Sequence, residues 1–444
     1  MLENFYKEVK MSNLFIITLD DVNFYNFGFT KYFQHYSSPT PNIDQLSQES
    51  YVFWNAHCNI PFCQQSRMVL LTGLYPQNNG ALNFNPIKEN VKTLPLILKK
   101  NNFYTHIIGK LGHHKPDICF NWNEKEDFWE SNITESIKNS IFKNKNNFFL
   151  INLENTHRPF YFDFTNGIAF NHKPENFIND VVKIKSQHTR SLFEGSIPSN
   201  IPDTTFIRQD IYSFFKSLKK ADDTIGDILS LVKEDDTVVL TSDHGFSFPY
   251  FKGNCYGAST NVPLIIKNKN IKNQHDKRNL VSHVDFLPTI LDLLSIKSDV
   301  NFDGKSYLKI LQGKFQQGFE VVYSQLNQMA TGGNSRIRAI TDNRYTYCIN
   351  LDPHNAQCVD GWGWWDVLDE MKNAGQWEKW HNRTFEEFVE YSKMDIKKCD
   401  NSLIKNKLKL DLLNFMERYQ DTEFKNIKKI MNIKDYNHFY KLLL

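Results

Sequence analysis

The sequence predicts an α/β fold: a mostly parallel central sheet flanked by helices, followed by a smaller C-terminal α+β domain. Three observations predict it. Leu14–Leu19 is a short, continuous apolar run rich in β-branched residues, the pattern of a strand buried on both faces, and 236–240 reads as a later buried strand. Strand patterns alternate with helical ones through about residue 315, as parallel strands joined by right-handed crossovers require. Beyond that point the pattern changes. Segments 320–324 and 336–350 read as antiparallel strands, and 364–373, 385–391 and 405–416 read as helices. The division is therefore 1–315 for a catalytic domain and 316–444 for a smaller one.

Taken in order, Leu14–Leu19 ends in Asp20-Asp21, and ligands of open α/β sheets gather outside the carboxyl ends of strands. Adjacent carboxylates there need solvent or a cation, and hard oxygen ligands suit Ca²⁺ or Mg²⁺. Segment 41–50 reads as a helix with proline near its start, and 51–54 as a strand. The loop that follows carries Cys63, Ser66 and Arg67 into a short buried helix, 68–71, stopped by Gly73. A cysteine at a helix N-terminus faces unpaired N–H groups that stabilise an anion. Arg67 lies one helical turn from Cys63.

Leu94–Lys100 reads as a helix and 105–108 as a strand running into Gly109-Lys110-Leu111-Gly112-His113, where Lys110 and His113 offer two donors to an anion. Asn147–Leu153 is a strand with His157 just past its end. Segment 165–200 is polar and turn-rich and reads as surface loop. Segment 202–232 is a long amphipathic helix whose Ile211, Phe214, Phe215, Leu218, Ile225 and Ile228 face the core, with Asp222-Asp223 on its solvated face. The strand 236–240 leads to Asp243-His244; Lys252, a strand 262–267 and a helix 284–294 follow.

Composition excludes several functions. The 52 basic and 50 acidic residues leave a net charge of +2 and are interspersed, so neither nucleic acid nor an acidic membrane is expected as a partner. Seven cysteines without C-x-x-C spacing argue against a disulfide scaffold or a zinc ribbon. The N-terminal stretch carries acids at once and no long apolar run, so the sequence predicts a cytoplasmic chain without a membrane span.

Collected, Asp20, Asp21, Asp243 and His244 form a candidate cation site, with Cys63, Arg67, Lys110, His113, His157 and Lys252 around it. This is a place for a dianionic tetrahedral oxyanion: a metal offsets its charge, cations clamp its oxygens, and a histidine serves as general acid or base.

The blocks NLFIITLDD, TPNIDQLSQES, NAHCNIPFCQQSRMVLLTGLYPQNNG, IIGK, THRPF, KKADDTIGDIL, VVLTSDHG, NVPLII, HVDFLPTILDLL and FDGKSYLKIL are collinear from about Asn13 to Asn350. In that order they resemble the sulfatase family of the alkaline-phosphatase-like superfamily. The segments around 202–229 and TSDHGFSFPYFKGNCYGAST are most similar to its sulfamidase (N-sulfoglucosamine sulfohydrolase) branch. The resemblance implies hydrolysis of a sulfate ester or sulfamate on a small sulfated substrate such as a sugar. It implies Ca²⁺, with Mg²⁺ or Mn²⁺ as alternatives, held by Asp20, Asp21, Asp243, His244 and the Cys63 position. It also implies that a formylglycine-generating enzyme converts Cys63, that Arg67 holds the resulting hydrate, and that Lys110, His113 and Lys252 contact sulfate with His157 near the leaving group.

His244 stands where many members have asparagine, and both supply a neutral ligand. The family's modification signature is C-x-P-S-R, whereas this chain has Gln65 at the proline position. Two alternatives therefore stay open: an unmodified Cys63 hydrolysing a phosphodiester or phosphonate monoester, or a non-catalytic binding protein. The tryptophans 362, 364, 365, 377 and 380 read as core packing rather than as a sugar-stacking surface.

Overall fold

The computed structural model describes residues 12–33, 37–128, 131–144, 146–158, 160, 192–329, 334–353 and 365–433. Its larger sheet holds β1 (Leu14–Leu19), β2 (Tyr51–His57), β3 (Tyr104–Ile108), β4 (Glu124–Glu126), β5 (Asn147–Leu153), β6 (Thr237–Ser242), β7 (Asn261–Lys267) and β8 (Gln274–Ser282). Their spatial order is β4-β3-β5-β1-β6-β7-β2-β8. All neighbours pair in parallel except β7, which runs antiparallel to both β6 and β2.

Every residue of β1, β5 and β6 is buried, because helices cover both faces of the sheet. Alternation along β1 sends Phe15, Ile17 and Leu19 into one apolar cluster and Leu14 and Ile16 into the other. The Phe15 cluster is the larger. It receives Ile211, Phe214, Leu218, Ile225 and Ile228 from the helix Thr205–Leu229, each worth about 1.5–3 kcal/mol of burial.

The smaller sheet is wholly antiparallel, in the order β13-β12-β11-β10-β9, with β9 (Val322–Gln328), β10 (Asn334–Thr341), β11 (Tyr345–Asn350), β12 (Glu386–Ser392) and β13 (Asp395–Lys398). The helix Ser402–Arg418 packs on it, and its Leu408, Leu412 and Phe415 join the same cluster as Phe15. The apolar interior is thus continuous between the two sheets. Among the described residues no helix is long and apolar enough to cross a membrane.

Two sequence expectations need correction. Segment 385–391 is a strand, β12, not a helix: Phe385, Phe388 and Val389 imitate helical spacing, but β11 has an open edge and Tyr345–Ile349 pair with Glu386–Glu390. Asp222 is not on a solvated face. It is fully buried, and its carboxylate accepts from the N–H groups of Asn42 (3.2 Å) and Ile43 (2.9 Å) at the start of helix α1 (Pro41–Gln48). Thr40 makes no side-chain cap there, so the long helix supplies the cap from outside. Asp223 is exposed and pairs with Lys219, as expected of a surface group.

Segment 336–350 resolves into the β10–β11 hairpin. Of the loop expected at 165–200, residues 165–191 lie outside the described residues, and 192–200 contain no helix or strand. Trp362 and Trp364 also lie outside them. Trp380 is buried as core, with the ring of Trp377 5.4 Å away.

Candidate active site

Four adjacent strands, β3, β5, β1 and β6, end on one edge of the large sheet. Lys110 follows β3, Glu154 and His157 follow β5, Asp20 and Asp21 follow β1, and Asp243 and His244 follow β6. Helix α2 (Cys63–Thr72) aims its N-terminus at the same place, with Cys63 as its first residue rather than just before it. The backbone accommodates this convergence at a cost: Asp21 and Lys110 are held at φ 58° and φ 51°, the left-handed region that side chains other than glycine rarely adopt.

The polar centre is buried and alternates in sign. Arg67, 2% exposed, donates to Thr18 Oγ1 (2.9 Å), to Asn152, to Asp20 and to Asp243 Oδ2 (3.1 Å). Lys110 Nζ lies 2.8 Å from Asp20 Oδ2. Lys252 Nζ donates to both oxygens of Asp21, at 3.0 and 3.2 Å. His244 Nε2 is 3.1 Å from Cys63 Sγ, 3.3 Å from Asp21 Oδ1 and 3.7 Å from Asp243 Oδ1.

Burial alone would push the Asp20 and Asp21 carboxyls up, but Lys110 and Arg67 beside the first and Lys252 beside the second outweigh it and hold both well below the usual range. Burial pushes the Cys63 thiol well above its ordinary value, with Lys252 pulling the other way. Burial also lowers His113, helped by Lys110 and Arg67, and lowers His157, helped by Lys110.

Of the residues singled out from the sequence, Asp21, Cys63 and His244 present ligand atoms that all lie within 4.8 Å of one another. Asp243 braces this trio by accepting from the N–H groups of Asp21 (3.1 Å) and His244 (2.9 Å). Asp20 is engaged by Arg67 and Lys110. Buried carboxylates beside a neutral-capable imidazole, with donor atoms no further apart than about twice a Ca–O distance of roughly 2.4 Å, fit a divalent cation. His113 and His157 stand at the rim, each partly exposed.

The structure adds residues that motif reading passed over. Asn152 Oδ1 accepts from Thr18 (2.6 Å) and from Arg67, while its Nδ2 donates to the carbonyls of Ile108 (3.1 Å) and Gly109 (2.9 Å), so it ties the arginine to the Lys110 turn. Glu154 Oε1 accepts from the Lys110 N–H at 2.8 Å. A lone amide inside the apolar run of β5 was the available signal for Asn152, since a buried polar group must find partners. Ser66 Oγ, from the same motif as Cys63, bonds the Asp243 carbonyl and lies 3.0 Å from His283 Nδ1.

Gln65 occupies the third position of α2 and is 1% exposed. The first intrahelical donor of this turn is the Ser66 N–H, bonded to Phe62 O at 2.9 Å. Proline's missing N–H would therefore cost the helix no intrahelical bond here.

A mostly parallel sheet whose strand ends gather carboxylates and cations around a cysteine at a helix N-terminus is the arrangement of the alkaline-phosphatase-like class. The chain belongs to the sulfatase family, a family of sulfuric ester hydrolases: the sulfatase pattern matches residues 12–296, and the pattern "N-sulphoglucosamine sulphohydrolase, C-terminal" matches residues 243–366. It is 26% identical over 362 residues to an ulvan-active sulfatase of Formosa agariphila, covering 79% of this chain and 68% of that one. It is 27% identical over 317 residues to the N-sulphoglucosamine sulphohydrolase of Homo sapiens, covering 62% of each. Against another ulvan-active sulfatase of Formosa agariphila the chain spans 57% of the relative's length. Among solved structures, a 2-O GAG sulfatase shares the fold with a TM-score of 0.65 at 18% identity, over 94% of both chains. A chain solved with its substrate D-glucosamine-2-N,6-O-disulfate superposes with a TM-score of 0.59 at 15% identity, over 93% of this chain and 99% of that one.

Proposed function

We propose that this chain hydrolyses a sulfate ester or sulfamate on a small sulfated sugar, using a divalent cation, Ca²⁺ in the first place, and a formylglycine made from Cys63. The observation that carries the reading is the interleaving of Arg67, Lys110 and Lys252 with three buried carboxylates around the Cys63 sulfur. The three cations and three carboxylates balance one another as they stand, so a divalent cation taken up by the carboxylates would leave the lysines and the arginine free to hold an oxyanion. The sugar is suggested by the relatives that act on ulvan and N-sulphoglucosamine and by the disulfated glucosamine held by a fold neighbour.

Asp20, Asp21, Asp243 and His244 would hold the cation, which withdraws electrons from the sulfate oxygens and offsets their charge. As a hydrated aldehyde the Cys63 position would supply two hydroxyls, one to attack sulfur and one whose proton loss expels sulfate. Arg67, which fixes Asp20 and Asp243 at once, would also hold that hydrate. Lys110 and Lys252 neutralise the oxyanion as negative charge grows on it. His113 would contact the sulfate, and His157, also at the rim, would lie near the leaving sugar oxygen or nitrogen. The reading includes a formylglycine-generating enzyme as partner and a cytoplasmic setting, the latter supported by six cysteines without a disulfide among the described residues.

The test is peptide mass spectrometry across residues 59–67 of protein from its native source, joined to a panel of aryl sulfate, N-sulfoglucosamine and aryl phosphodiester. The expected result is a Cys63 peptide that has lost one sulfur and two hydrogens and gained one oxygen, in protein that cleaves sulfate or sulfamate. Activity on the phosphodiester alone, with an intact thiol, would overturn the reading in favour of a phosphoester hydrolase. Elemental analysis completes it: Asp243→Ala is expected to lose the cation that wild type retains.

A further inference from the structure

Lys252 is the one site cation carried by a long irregular loop, 245–256, rather than by a strand end or helix. It is fully buried, and its ammonium must be placed on Asp21 by a flexible four-carbon stem. Its backbone is held from three sides. The Lys252 N–H donates to Phe248 O (3.2 Å), the Gly253 N–H donates to Pro61 O (3.1 Å) in the Cys63 loop, and the Lys252 carbonyl accepts from Asn254 Nδ2 (3.2 Å). Gly253 sits at φ 65°, so the chain reverses immediately after the lysine.

The hold on Asn254 comes from the smaller sheet. Arg383 Nη1 donates to Asn254 Oδ1 at 2.7 Å, and Arg383 Nε and Nη2 both donate to Glu387 Oε2, at 3.0 and 2.6 Å. Glu387, on β12, also accepts from Tyr256 Oη and Asn350 Nδ2, each at 2.9 Å. The Arg383 guanidinium lies 4.7 Å from the centre of the Tyr256 ring. Arg383 is 7% exposed and Asn254 3%. A buried, charge-balanced fork with one arm reaching an amide of the catalytic loop is more than a domain fastener. Removing that arm strands the Asn254 carbonyl oxygen without its donor and frees the amide to turn away from the Lys252 carbonyl.

From this geometry we propose that Arg383, acting through Asn254, is a positioning residue for Lys252, so that the smaller domain sets the oxyanion-binding geometry of the larger one. The inference rests on the oxyanion hydrolase reading above, and the experiment separates the two. In full-length protein with Ca²⁺, Asn254→Ala, Arg383→Lys and Arg383→Ala are made alone and on a Lys252→Ala background. Orthovanadate affinity is read by calorimetry, aryl sulfate turnover by kcat/KM, and folding by urea midpoint.

The expected result is a loss of about tenfold to hundredfold in vanadate affinity and in kcat/KM for Asn254→Ala and Arg383→Ala, which disappears once Lys252 is alanine. Arg383→Lys, which keeps the charge but not the fork, is expected to fall between wild type and alanine. Losses that persist in full on the Lys252→Ala background, or a lowered urea midpoint with unchanged vanadate affinity, would overturn the positioning role. Asn254→Ala keeps the test open should Arg383→Ala fail to fold. Wild type that binds vanadate without cleaving any sulfate ester or sulfamate overturns the sulfatase reading alone, and the affinity cycle still decides the relay. Wild type that binds no oxyanion overturns both.

Discussion

Arg67 shows what a single residue holds at this site. Its guanidinium serves four acceptors on three elements, and without it Asp20 and Asp243 would be buried facing each other. Burial by itself would lower the pKa of Arg67, and those two carboxylates reverse that and raise it, so it remains charged at any working pH. Arg67→Ala is expected to cost about 3–5 kcal/mol in cation-free protein, the usual loss when one partner of a buried pair is removed. Added Ca²⁺ should recover part of it by binding the folded state alone. Urea midpoints with and without Ca²⁺ check this, and a cation-free variant as stable as wild type would show that the pair is not structural. Most charged members of the site were legible in the sequence because they fall just past a strand or at a helix start, where chemistry-bearing types stand out; Lys252, inside the 245–256 loop, lacks that signal. Asn152, Asn254 and Arg383 were not, since their roles depend on which strands become neighbours and on a contact between sheets more than a hundred residues apart.

At the scale of elements, the cap of α1 is supplied by a different helix. Asp222 accepts two α1 N–H bonds and a third from the Asn42 side chain (3.0 Å). Burial raises its pKa, and the Ile43 and Asn42 bonds oppose that rise, which marks them as favouring the charged form. Asp222→Ala should therefore lower stability by about 1–2 kcal/mol, while Asp223→Ala on the exposed side should change it by less than about 0.5 kcal/mol. Paired urea denaturation curves check it, and equal midpoints for the two variants would refute the cap. The helix Thr205–Leu229 was readable from its apolar stripe, but that stripe carries no information about which polar residue beside it will meet another helix. The same limit explains β12: its spacing satisfied a helical period, and only the open edge of β11 decided for strand.

For the whole molecule, the interior that joins the two sheets also buries histidines, and their protonation governs how the fold meets acid. His57, His114 and His283 are each at most 4% exposed, and burial pushes each pKa down to about 3. Their unfolded value is about 6.5, so folding is favoured by these groups above that pH, and the advantage is lost as pH falls from about 6.5 toward 3. Asp285 has the opposite sign. Burial raises it to about 6, so its contribution is fully present below the ordinary carboxylate value and is lost as pH rises through 6. Between pH 6 and 4 these three histidines, joined by His113 and His157, whose values burial also lowers, act against Asp285, leaving a net loss of about 3 kcal/mol per pH unit or more. Set against a total stability of about 5–15 kcal/mol, that slope should unfold the protein within about two to five units below pH 6.5. Urea midpoints at pH 7.5, 6.5, 5.5 and 4.5 should be flat across the first pair and fall steeply after it. His57→Gln, which cannot take up the proton, should make the fall shallower by about a quarter to a half. Midpoints unchanged down to pH 4.5, or a slope that His57→Gln leaves as it was, would mean that the histidines are not the groups through which acid acts.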